Sequence, residues 1–136
     1  MSKSSWSKKA DSAWYEYQHR IWQRCAVCRC PGVQAHHLIT KGQKLTAFDP
    51  ENGIGLCPEH HQGSTFSAHG TPEKFIEWLE KNRQKQYEYF QTNRNRHGYS
   101  LTEEYYKDAY HKLKELTRIE NETDPSISQK NQCYSR

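Results

Sequence analysis

The sequence predicts an α+β fold: two short strands and a short helix at its centre, one helix ahead of them and two long helices behind. Three observations predict it. Apolar residues recur at helical spacing in three separate stretches. Short apolar runs bounded by Gly and Pro interrupt them, and paired Cys and His residues flank those runs. At 136 residues there is room for one domain, expected over 10–119 between a disordered N-terminus (1–9) and a flexible tail (120–136).

The elements follow in order. Residues 1–9 are polar. A helix is expected over 10–24, with Trp14, Tyr17, Ile21 and Trp22 on one face; core packing is the simplest use of that stripe. Cys25 to Gly32 reads as a tight knuckle closed by Pro31-Gly32. Val33 to Ile39 is a strand carrying His36 and His37, and residues 40–53 have loop chemistry. Ile54 to Leu56 is a second strand, after which Pro58 opens a helix bearing His60 and His61. Thr71-Pro72-Glu73 starts a long helix over 72–92. Residues 93–100 form a loop around Gly98, and a capping-box pattern from Ser100 to Glu103 starts the last helix, 101–119.

The core has to be small. Leu, Ile, Val and Phe number only 19, although four Trp and nine Tyr add large burial units. A structural metal is the usual remedy, because ligand binding becomes folding free energy. The N-terminus lacks the apolar stretch of a signal peptide, and no run reaches the roughly 18 apolar residues that would span a membrane. A cytoplasmic setting is therefore expected, with the cysteines as metal ligands; disulfides are the alternative. Charge is uneven: residues 1–50 hold eight Lys/Arg against three Asp/Glu, which suits a polyanionic partner.

The chemistry lies between Cys25 and His61. Two residues separate Cys25 from Cys28, and two separate Cys57 from His60. That spacing lets one turn offer both ligands to a tetrahedral ion, and its double occurrence predicts a structural Zn²⁺ on these four residues. Cys30 competes with Cys28 for its place, and Cys133 in the tail is expected as a free thiol. His36, His37, His61 and His69 are then left over. Neighbours on a strand point to opposite faces, so His36 and His37 divide between a metal and another task. A hydrolase needs both a Lewis acid and a general base, and histidine suits the second.

The runs CAVC, AHHLI and ENGIGLCPEHH resemble the zinc-bearing form of the HNH endonuclease family, the ββα-metal nucleases, over about residues 25–70. The resemblance implies a small zinc-tied ββα-metal core, an antiparallel hairpin and a helix, with one N-terminal helix and two long C-terminal helices. It implies His36 and His61 as ligands of a catalytic divalent ion (Mg²⁺, Mn²⁺ or a transition metal), with His69 as a candidate third and a surface-loop histidine as the alternative. His37 would be the general base and Asn52 the motif asparagine orienting the base or its loop. The implied reaction is phosphodiester hydrolysis in DNA, leaving a 5′-phosphate and a 3′-hydroxyl. Lys41 and Lys44 are first candidates for backbone phosphate contacts, and Arg94 and Arg96 for a second patch. Short chains of this kind are common in phages and prophages, so a bacterial host cell is the expected setting. The competing expectation is a catalytically inert zinc-stapled module that binds DNA or protein. A redox thiol protein built on Cys25 and Cys28 is disfavoured because no βαβ pattern surrounds them. His19, His97 and His111 are expected at the surface.

Overall fold

The computed structural model describes residues 5–96 and 101–123. His97, Ser100, Pro125 and Cys133 lie outside them. The described residues form five α-helices and one two-stranded sheet, an α+β arrangement. In chain order these are α1 (Ser5–Ile21), β1 (Gln34–His36), a 3₁₀ turn (Lys44–Thr46), β2 (Ile54–Leu56), α2 (Pro58–Gln62), α3 (Pro72–Asn82), α4 (Gln84–Asn93) and α5 (Glu103–Thr123). Among the described residues, no helix is long and apolar enough to cross a membrane.

Several boundaries move from their expected places. Helix α1 begins at Ser5, inside the stretch expected to be disordered, and ends at Ile21 rather than Arg24. Trp6 explains the early start: its ring meets Tyr110 edge-on, with centroids 5.5 Å apart, so α5 gives the first turn something to pack on. Strand β1 is shorter than Val33–Ile39. Its partner offers three residues, paired antiparallel as Gln34 with Leu56, Ala35 with Gly55 and His36 with Ile54, and the ladder ends where the partner does. The expected single helix over 72–92 is two helices broken at Arg83, whose φ of −136° and ψ of 70° leave the helical region. No Pro or Gly marks the break. Arg83 instead reaches back to donate from Nη2 to the Ala26 carbonyl at 3.2 Å and lies over the Trp22 ring. Helix α5 is capped by Thr102, whose Oγ1 accepts from the Tyr105 N–H at 3.1 Å, and it runs on to Thr123.

Two hydrophobic clusters share this frame. The first collects Leu38, Ile54, Leu56, Ala68, Phe75 and Leu79 with Cys25, Cys28 and Cys57. The second packs Ala10, Ala13 and Trp14 of α1 against Ala47, Phe48 and Leu113. The hairpin closely approaches the residue that follows α1: a Cβ on Gly55 would collide with the Trp22 side chain.

Candidate metal centres

Cys25, Cys28, Cys57 and His60 converge. The knuckle that carries the first two is closed by paired bonds, Cys25 N–H to Cys30 O at 2.8 Å and Arg29 N–H to Cys25 O at 2.9 Å. Its turn holds Arg29 at φ 66°, a left-handed conformation unusual for a side-chain residue. Helix α2 supplies the other two ligands, with Cys57 at its N-cap and His60 one turn on. Their separations test the fit to an ion. Cys28 Sγ lies 3.7 Å from Cys57 Sγ, and His60 Nδ1 lies 3.7 Å from Cys25 Sγ and 3.3 Å from Cys57 Sγ. Tetrahedral zinc with ordinary bond lengths gives edges of about 3.8 Å between sulfurs and about 3.6 Å from sulfur to nitrogen. The four residues fit a metal such as zinc. Burial raises the Cys25 thiol, but surrounding N–H groups of Cys28, Cys57 and Val27 outweigh it and hold the group below its ordinary value. Burial pushes Cys28 up to about 11, with the Cys25 charge adding to the effect. Paired sulfurs of this kind favour a cation between them.

Cys30 is outside the set. It is disulfide-bonded, so it does not replace Cys28 as a thiolate, and the expectation that every cysteine avoids a disulfide is corrected there.

His36, His61 and His69 form the second convergent group. Their ring centroids are 5.0, 4.9 and 4.8 Å apart, close to the about 5 Å expected of three imidazoles sharing one ion at ordinary metal–nitrogen distances. His60 and His61 are neighbours on a helix, about 100° apart around its axis, which is why they join different groups. The long offset to His69 is absorbed by a return turn. The backbone comes back along α2, with Ala68 N–H on His60 O at 2.9 Å and His69 N–H on His61 O at 3.0 Å. Ser67 ties that turn, its Oγ donating to Gly63 O at 2.5 Å and accepting from Gly70 N–H at 2.7 Å. Gly70 is required, because a Cβ there would strike the Gly63 carbonyl. Burial holds His36 down to about 3, with the charges of His61, His69 and His37 adding, and burial and His69 lower His61. Both rings are thus neutral at neutral pH, with a lone pair free for a ligand. His69 is exposed, so the group opens to solvent.

No known family's model matches this chain, and no curated protein or solved structure matches it either.

His37 takes the other direction. Its ring stacks on Trp14 at 3.7 Å between centroids and 8° between planes. Its Nε2 lies 3.0 Å from the Ala47 carbonyl. A carbonyl only accepts, so Nε2 carries the proton and Nδ1 the lone pair. Burial pushes the ring down to about 4, against the Ala47 bond, which raises it. Asn52 is in neither metal group. It is fully buried and pins the loop: its Oδ1 accepts from Ile39 N–H at 2.7 Å, and its Nδ2 donates to Ile39 O and Thr46 O, each at 3.0 Å. The loop is held from outside as well. Trp14 Nε1 donates to Asp49 O, Gln18 Nε2 to Pro50 O and Tyr105 Oη to Leu45 O.

Lys41 is paired with Asp11 at 2.8 Å and lies over the Tyr15 ring, beside His37. Lys44 is exposed at the start of the 3₁₀ turn. Arg94 and Arg96 follow α4 and are exposed. Three residues have a part in the site that the sequence reading did not assign them. Asp11 holds Lys41, Trp14 carries the His37 stack in addition to filling the core, and Gln34 bonds His61 through Oε1 and Nδ1 at 2.6 Å. Only Gln34 had a signal, since it lies two residues before His36 on the same strand face.

Proposed function

We propose that the chain is a metal-dependent DNA endonuclease of the HNH, or ββα-metal, type. One observation carries the reading. Two consecutive histidines diverge, His36 into a group of three imidazoles and His37 onto a carbonyl that leaves the lone pair on its second ring nitrogen.

In this reading His37 Nδ1 takes the proton of an attacking water, and the imidazolium that forms is stabilised by the Ala47 carbonyl. Trp14 fixes the plane of the ring. Asn52 acts through the loop: it holds Thr46 O, one residue before the carbonyl that orients His37. An ion on His36, His61 and His69 would supply Lewis-acid stabilisation to the phosphate and its leaving 3′ oxygen. A set of three imidazoles with no carboxylate favours transition ions over Mg²⁺. The products would carry 5′-phosphate and 3′-hydroxyl ends. Lys41 and Lys44 would meet the DNA backbone, and the opening at His69 suits a polymer substrate.

The inert binding module is the second reading. It draws on the same stack, because a histidine packed on Trp14 and bonded to Ala47 also serves as a structural residue. Plasmid nicking separates them. The purified chain, holding about one zinc, should nick plasmid when Ni²⁺, Mn²⁺ or Mg²⁺ is added, and His37→Ala should lower the rate by at least 100-fold. Nicking by His37→Ala at the wild-type rate removes His37 as the base. Wild type that binds DNA but cleaves under no divalent ion leaves the binding module.

A further inference from the structure

We propose that Gln34 is a positioning residue that fixes which nitrogen of His61 is presented to the metal. The inference rests on reading His36, His61 and His69 as an ion site. Gln34 and His36 lie two residues apart on β1, so both side chains leave the same face of the strand. That face meets α2, and Gln34 Oε1 comes within 2.6 Å of His61 Nδ1.

The bond has a chemical consequence. With the amide oxygen accepting, Nδ1 carries the proton and Nε2 carries the lone pair. Ligating histidines commonly have their second nitrogen held by an acceptor in this way, which sets both tautomer and ring angle. The need is acute here. Helix α2 has five residues, and the His61 ring is only partly buried, so little else on its own element restrains it. The acceptor is also neutral. A carboxylate in its place would make the imidazole a stronger donor and offset part of the ion's charge. Gln34 orients the ring while leaving that charge for an anionic ligand.

The test is Ni²⁺ titrated calorimetrically into the full-length, zinc-loaded chain. Wild type should bind one further equivalent. Gln34→Leu, which keeps the bulk and loses the acceptor, should weaken that binding by about 10- to 100-fold. Gln34→Glu should bind at least as tightly as wild type. The thermal midpoint and the zinc content of the Cys25, Cys28, Cys57 and His60 set should be the same in all three. Equal Ni²⁺ affinity in Gln34→Leu and wild type overturns the proposal. So does equal weakening in Gln34→Leu and Gln34→Glu, which would mark a packing role, or a nitrogen NMR spectrum showing the proton of His61 on Nε2. Binding is read without DNA, so the nuclease reading fails separately: Ni²⁺ bound in the expected order of affinity with no nicking would sink the nuclease and leave Gln34 in place.

Discussion

Asn52 shows what a single buried polar side chain can do for a site it does not enter. Its three hydrogen bonds satisfy the N–H and carbonyl of Ile39 and the carbonyl of Thr46. Removing it strands the N–H and carbonyl of Ile39 in an enclosed place, while Thr46 O keeps the Asp49 N–H at 3.1 Å; each unpaired group costs about 1–3 kcal/mol. Asn52→Ala should therefore lose about 3 kcal/mol or more in urea unfolding. Asn52→Asp should do no better, since a carboxylate accepts from Ile39 but faces two carbonyls with no proton to give. Unfolding of Asn52→Ala at the wild-type urea concentration would show that the loop is held by other contacts. At this scale the sequence displayed residue types and spacing but not partners. His36, His61 and His69 could be nominated from their order, and the return turn that delivers His69 depends on Ser67 and Gly70, which carry no metal-site signature of their own. Asp11 and Trp14 were hidden because their partners, Lys41 and His37, lie more than twenty residues further along the chain.

Elements were legible where a local rule decides them. Pro58 and Pro72 open α2 and α3 as the first-turn preference of proline requires, and β2 occupies its expected three residues. Elements were misread where a distant contact decides. The Arg83 break, the early start of α1 and the shortened β1 depend on Ala26, Tyr110 and the length of β2 respectively. Helix α5 is the element that closes the second cluster. Leu113 is fully buried there, and the Tyr105 hydroxyl ties the same helix to the site loop. Leu113→Ala should cost about 3 kcal/mol, within the range for truncating a buried leucine, while metal content stays at the wild-type value. Loss of zinc from that variant would mean that the two clusters do not hold their ligands independently.

At the scale of the molecule, stability is expected to lean on the ion held by the four Cys and His residues. Binding of structural zinc is worth on the order of 10 kcal/mol, comparable with the whole stability of a small domain. Chelation at neutral pH should accordingly abolish the cooperative thermal transition seen by circular dichroism, and added zinc should restore it. An unchanged midpoint after the metal is stripped would show that the apolar clusters suffice. The arrangement of those clusters has a consequence for how the chain can vary. His36 points into one and His37 into the other, yet a single trans peptide joins them, with Cα atoms about 3.8 Å apart. No linker lies between the halves in which a misalignment could build up. Drift in α1 reaches the His37 ring directly through the Trp14 stack, yet it cannot change the Cα spacing that the peptide sets. Movement of α1 can tilt one imidazole against the other, while the pair at the joint keeps its own gauge.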